Sequence, residues 1–165
     1  MMRLLLVVSL FFVFSVPSFG QVFGFEQLVS LTKRDSAAVS SYVAEKKWIL
    51  SEAKVPTETT AGRLTWKHSA LSKADQFAQN WLVYFYKDNK CRRLSYATLD
   101  AKTFEALKRQ ITSKNMRKVS SKNAKGLSQT TYQWGSYTVM LEQNSNSVDQ
   151  ENKPIKSFEI TIDIM

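Results

Sequence analysis

The sequence predicts an α+β fold: two tandem units, each a helix followed by four strands, share one antiparallel sheet with helices packed on one face. Three observations carry this. Apolar residues recur at helical spacing over Val39–Val43 and Phe104–Ile111, and an Asp precedes each stripe where it can cap a helix. Each stripe is followed by short β-branched and aromatic segments broken by turn residues. The two halves also lie over one another at an offset of 68 residues, matching Val43 to Ile111, Lys46 to Lys114, Trp48 to Met116 and Trp66 to Trp134. One helix on a four-stranded ribbon hides its apolar side poorly, whereas two side by side share a continuous core.

In chain order, the first element is an export signal over residues 1–20. Arg3 is its positive end, and Leu4–Val16 is apolar apart from two serines. That length suits a signal peptide and falls short of the roughly 20 residues that span a bilayer. Pro17 ends the run, and Ser18 and Gly20 place small residues for cleavage before Gln21. The expected mature chain, 21–165, is of ordinary single-domain size. It divides into a first repeat of about 25–99 and a second of about 100–165.

Leu28, Val29 and Leu31 mark a first helix from Phe25 to Thr32. Asp35 or Ser36 caps a second, whose stripe is Ala38, Val39, Tyr42 and Val43 and whose last turn is closed by Lys46 and Lys47. Trp48–Leu50 reads as a short strand, Pro56–Gly62 as a loop, and Arg63–His68 as an alternating strand. Leu71–Gln79 reads as either a helical turn or an extended lead-in. Trp81–Tyr86 is the clearest strand; Asp88-Asn89-Lys90 turns it back into Arg92–Thr98.

Asp100 then caps a helix over Ala101–Lys114. Met116–Ser121, Thr130–Trp134, Tyr137–Glu142 and Phe158–Ile164 follow as strands, with Asn123–Gly126 a loop. Asn144–Lys156 is polar and is expected to be a mobile loop.

The Val43–Trp48 segment, Val-Ala-Glu-Lys-Lys-Trp, runs an amphipathic helix through Lys into an aromatic strand start, and Ile111–Met116 echoes it. With this element order in a small exported chain, the architecture resembles that of the β-lactamase inhibitor proteins. The resemblance implies a sheet whose exposed concave face holds a partner. The paired cysteines of that group are absent, since Cys91 stands alone.

Charge points to the class of partner. The chain carries +9, about +8 without the signal. Ala106–Leu141 contains no acidic residue but holds Lys108, Arg109, Lys114, Arg117, Lys118, Lys122 and Lys125, and a second cluster is Lys87, Lys90, Arg92 and Arg93. Such asymmetry favours an anionic envelope component or an acidic protein, and equally suits a solvated face; nucleic acid does not fit an exported chain. No further apolar run is of membrane length, so the mature chain is not expected to span a membrane, and a monomer or weak dimer is expected. Export places it in the bacterial periplasm or outside the cell.

Reaction chemistry finds few candidates. His68 and Cys91 are the only residues of their kinds, and no GxSxG, HExxH, CxxC or phosphate-cradling loop occurs. Asp75, Asp88, Asp100 and Glu105 are dispersed. Neither a metal nor a cofactor is expected. A small hydrolase-like enzyme using His68 or Cys91 is the weaker reading, and an inert, partly buried Cys91 the simpler one.

The stronger reading is a non-enzymatic binding module. In Trp81–Tyr86 both alternating sets are apolar or aromatic, so a sheet with helices on one side is expected to leave Tyr84 and Tyr86 displayed on the other. Trp81, Tyr84, Tyr86, Tyr96 and Tyr132 are the expected contact residues, flanked by Arg92, Arg93 and Lys118. The alternative is a strand covered on both faces.

Overall fold

The computed structural model describes residues 23–68, 78–148 and 152–165. The expected signal peptide, the cleavage before Gln21, Asp75 and most of Leu71–Gln79 lie outside these residues. Two helices, α1 (Phe25–Thr32) and α2 (Ser36–Glu45), lead into four strands: β1 (Ile49–Lys54), β2 (Gly62–His68), β3 (Asn80–Lys87) and β4 (Lys90–Thr98). A third helix, α3 (Ala101–Thr112), leads into β5 (Arg117–Ala124), β6 (Leu127–Trp134), β7 (Tyr137–Val148) and β8 (Pro154–Ile164). The strands form one antiparallel sheet in the order β1-β2-β3-β4-β8-β7-β6-β5. Two four-strand meanders therefore meet at the β4–β8 pair. The fold is α+β, with helices packing on one face: α1 on β4, and α3 on β4 and β8.

The helices begin where the sequence places their caps. Asp35 accepts a hydrogen bond from the Ala38 amide at 2.8 Å, and Asp100 accepts from the Lys102 and Thr103 amides at 3.1 Å each. These bonds satisfy amides that have no partner inside the helix. At the start of α1 the Gln110 side chain, from α3, accepts from the Phe25 amide at 2.8 Å and ties the two helices together. The chain leaves α2 through Lys47 and α3 through Asn115, both with positive φ (63° and 52°). Register shifts then fall at Leu50/Glu52 in β1 and at Lys118/Ser120 in β5. The left-handed residues and the bulges are each 68 positions apart, the same spacing as Trp66 and Trp134.

The core lies between the helices and the centre of the sheet. Leu28 and Leu31 of α1, Val39 and Val43 of α2, and Leu107 and Ile111 of α3 are buried against Leu82, Tyr84, Leu94, Tyr96, Ile160 and Ile162. Each such side chain contributes roughly 1.5–3 kcal/mol of hydrophobic burial. Gly62 allows a close approach: a Cβ there would stand 2.6 Å from the Tyr86 ring and 2.7 Å from Pro56. Among the described residues, no helix is long and apolar enough to cross a membrane.

Several boundaries differ from expectation. Gly62 is in β2 rather than in the preceding loop, and α3 stops at Thr112. The loop expected at Asn123–Gly126 shrinks to a turn at Lys125-Gly126, where Gly126 supplies a φ of +75°. Most of the mobile loop expected at Asn144–Lys156 is strand: β7 runs to Val148 and β8 starts at Pro154. At this outer end of the hairpin most side chains are polar while the backbone ladder continues, with a register shift at Asn144/Ser147.

Candidate functional site

Register decides which aromatic residues meet solvent. The hairpin turn at Asp88-Asn89, both at positive φ (52° and 60°), has the type I′ backbone suited to a two-residue connection. It sets Tyr84 opposite Leu94 and Phe85 opposite Arg93, with Arg92 as the extra residue of a bulge. Leu82 and Tyr84 therefore point toward the helices, along with Leu94, Tyr96, Ile160 and Ile162.

This corrects the face expected for the tyrosines. Tyr84 and Tyr96 are in the core, at 0% and 1% exposure. The Tyr84 hydroxyl donates to the Arg34 carbonyl at 2.6 Å, and the Tyr96 hydroxyl donates to Asn80 Oδ1 at 2.9 Å. Burial pushes both phenols above the ordinary tyrosine range. Tyr86 and Tyr132 are on the same side, half-buried against the core edge. Of the five aromatics, only Trp81 is on the helix-free face.

That face is built of three rows crossing the sheet. The first is Arg63, Phe85, Arg93, Asp163 and Thr138; the second is Thr65, Val83, Ser95, Thr161 and Met140; the third is Lys67, Trp81, Ala97, Glu159 and Glu142. The middle row is a floor. Ser95 and Thr161 are 8% and 2% exposed although none of the described helices covers them, because their side chains are short and the flanking rows rise over them. Their hydroxyls are 2.9 Å apart, and Thr161 donates to Glu159 Oε1 at 3.2 Å.

The result is a shallow depression of roughly 390 Å³. Val83, Phe85 and Met140 give it apolar surface; Arg63, Arg93, Glu52 and Glu159 give it charge. The charges are held in place. Arg93 grips Asp163 with two hydrogen bonds, Nε to Oδ1 at 2.5 Å and a terminal nitrogen to Oδ2 at 3.2 Å. Arg63 donates to Glu52 at 2.6 Å, and Lys54 is 3.3 Å from the same carboxylate. Arg63 and Lys54 together hold the Glu52 carboxyl below the usual carboxylate range. The Nε of Arg63 is buried without a hydrogen-bond partner beside the depression.

The other expected contact residues lie elsewhere. Arg92 is exposed near the β3–β4 turn, 3.8 Å from Asp88. Lys118 is exposed on the outer strand β5, opposite Tyr132.

The two candidate reactive side chains are not brought together. His68 is in the ladder row of Asn80 and Thr98, at one end of the sheet; Cys91 is opposite Tyr86, near the other. Seven residues along β4 correspond to about 23 Å at a rise of ~3.3 Å each, far beyond hydrogen-bond reach. Cys91 is buried, and desolvation pushes its thiol up to about 12, leaving it protonated at neutral pH. The His68 ring lies tilted beside Trp48, ring centroids 5.3 Å apart, and its Nδ1 is buried without a partner. Burial lowers the His68 pKa. Among the described residues, no group of three His, Cys, Asp or Glu side chains could hold a metal ion.

Phe85, Val83, Met140 and Arg63 are the surface residues that strand alternation alone did not single out. The signal for them is in β8, where Glu159, Thr161 and Asp163 alternate with Phe158, Ile160 and Ile162. That polarity, carried through the β4 register, marks the open side. No known family, curated protein or solved structure matches the chain.

Proposed function

We propose that the chain is an exported, non-enzymatic binding module of the bacterial periplasm or cell exterior, which holds a protein partner on the helix-free face of its sheet. Kinship with the β-lactamase inhibitor proteins is part of the proposal and is supported by element order. The observation that carries the functional reading is the depression over Ser95 and Thr161, where apolar side chains and fixed charges occur together on a rigid sheet. Pre-ordered side chains lose little freedom on binding, so contacts made there convert efficiently into affinity. Aromatic and Arg anchors beside fixed polar groups have the composition of binding hot spots. Trp81, Phe85, Arg63 and Arg93 are the proposed contacts. Tyr84 and Tyr96 support them from the opposite side.

The test is capture from envelope extract by immobilised protein, read by mass spectrometry. Wild type is compared with Phe85→Ala and with Arg93→Glu, after circular dichroism has verified that each variant folds. The reading expects a species held by wild type and lost by both variants. Identical captured profiles for all three proteins would reject it.

A further inference from the structure

We infer a second binding surface, separate from the depression: the outer edge at β5, which takes a flexible linear polyanion, a chain bearing repeated sulfate, phosphate or carboxylate groups. Among the described residues β5 pairs only with β6, and all eight of its residues are exposed. It carries Arg117, Lys118 and Lys122, with Lys125 in the following turn, and Arg117–Trp134 contains no acidic residue. Among the described residues, none of these four side chains makes a salt bridge; Arg117 donates only to the neutral amide of Gln133. By contrast, Lys108 and Lys114, just before the strand, are neutralised by Glu105 and Glu26. Positive charge is thus left uncompensated along β5.

Protection of a sheet edge against aggregation is the simpler use of lysine on an outer strand. The other edge of this sheet argues against that as the whole explanation. β1 is equally outermost and has its own bulge, yet exposes Ile49 and Leu50 at 64% and 50%. The cations are concentrated on one edge rather than guarding both.

Geometry selects the class of anion. Arg117 and Lys122 project with Gln133 and Gln129 on the helix-free side, while Lys118 projects with Tyr132 on the helix side. Lys118 and Lys122 are about 13 Å apart at ~3.3 Å per residue. Cations above and below a narrow edge can grip a chain running along it from both sides. A lipid bilayer presents a plane and would meet this edge along a line, with Val119 as the exposed apolar side chain of the strand. Binding by charge neutralisation releases counterions and therefore weakens steeply with salt.

The experiment measures binding of dextran sulfate and of long-chain inorganic polyphosphate across a salt series. Three proteins are compared: wild type, K118E/K122E, and K87E/K90E, which makes the same charge change in the β3–β4 hairpin. The charge-reversed pair keeps β5 guarded, and thermal melting verifies that both variants fold. Wild type is expected to bind at least one polymer. K118E/K122E is expected to bind at least tenfold more weakly, with a log–log salt slope shallower by about one unit per removed cation, and K87E/K90E to behave as wild type. Absence of wild-type binding, or equal losses in the two variants, overturns the proposal. So does retention on phosphatidylglycerol vesicles as strong as on the polymers, which would assign the edge to membranes. Capture through the depression is expected to survive K118E/K122E, so each surface can fail without the other.

Discussion

The two faces of the central strands are made from similar residues and do different work. On the helix side, Leu82, Tyr84 and Tyr96 are sealed, and the buried phenols spend their hydroxyls on Arg34 and Asn80. On the open side, Val83, Phe85 and Trp81 are half-buried among Arg63, Arg93 and Glu159. A large aromatic is therefore no guide to a binding surface in this sheet. What separates the faces is the chemistry of the neighbouring strands: Ile160 and Ile162 of β8 stand behind one face, Thr161 and Asp163 behind the other.

Adjacent residues of β3 test this contrast with the largest expected effect. Leu82→Ala removes a fully buried side chain and is expected to cost about 2–5 kcal/mol. Val83→Ala, on the open side, is expected to cost no more than about 1 kcal/mol, as a half-buried site loses less. Urea unfolding of both variants checks it. Equal losses would mean that the open side is as tightly packed as the core, and the distinction between the faces would fail.

Much of this was legible beforehand, for identifiable reasons. Asp35 and Asp100 fix helix starts through side-chain chemistry that is local in sequence. The Asp88-Asn89 turn is local too. The outward set of β3 was not legible, because Trp81-Val83-Phe85 and Leu82-Tyr84-Tyr86 are both apolar and alternation assigns neither to water. The answer depends on β8, more than 70 residues away, and on the Arg92 bulge that keeps Cys91 on the same side as Leu94. The length of β7 was likewise hidden. A hairpin end with polar side chains on both faces carries no apolar period, although its backbone pairs as well as any other.

The second test uses pH and concerns the buried side alone. Desolvation lowers the His68 pKa in the fold below its ordinary 6.5, so the unfolded chain takes up that proton first as pH falls. Stability tied to neutral His68 is complete above about pH 6.5 and declines as pH drops from there toward the lowered folded value. His68→Phe keeps a ring beside Trp48 and removes the titration. Between pH 7 and pH 5 the melting temperature of wild type is expected to fall more than that of the variant. Parallel falls would show that His68 is solvated in the fold.

The third test probes the floor of the depression. Thr161→Val keeps the shape of a 2%-exposed residue but leaves Ser95 without its hydroxyl partner, at a cost of about 1 kcal/mol. An unchanged midpoint in urea would mean that water already serves Ser95, and that the depression is wetter than its packing implies.

The smallest expected effect separates stability from recognition. Arg93 and Asp163 form a two-pronged pair, but their side chains remain 52% and 33% exposed. Solvent and salt screen such a pair, so Arg93→Gln is expected to destabilise by less than about 1 kcal/mol. A pair of that kind does little for the fold, yet it holds a guanidinium in one orientation at the rim, which a free Arg would have to pay entropy to reach on binding. Arg93→Gln and Asp163→Asn should therefore leave the unfolding midpoint nearly unchanged while both weaken capture, Asp163→Asn by loosening a side chain it does not replace. If Asp163→Asn left capture intact while Arg93→Gln abolished it, the charge of Arg93 alone would matter and its orientation would not. If either variant lost several kcal/mol of stability, the open face would be structural in the same sense as the helix side.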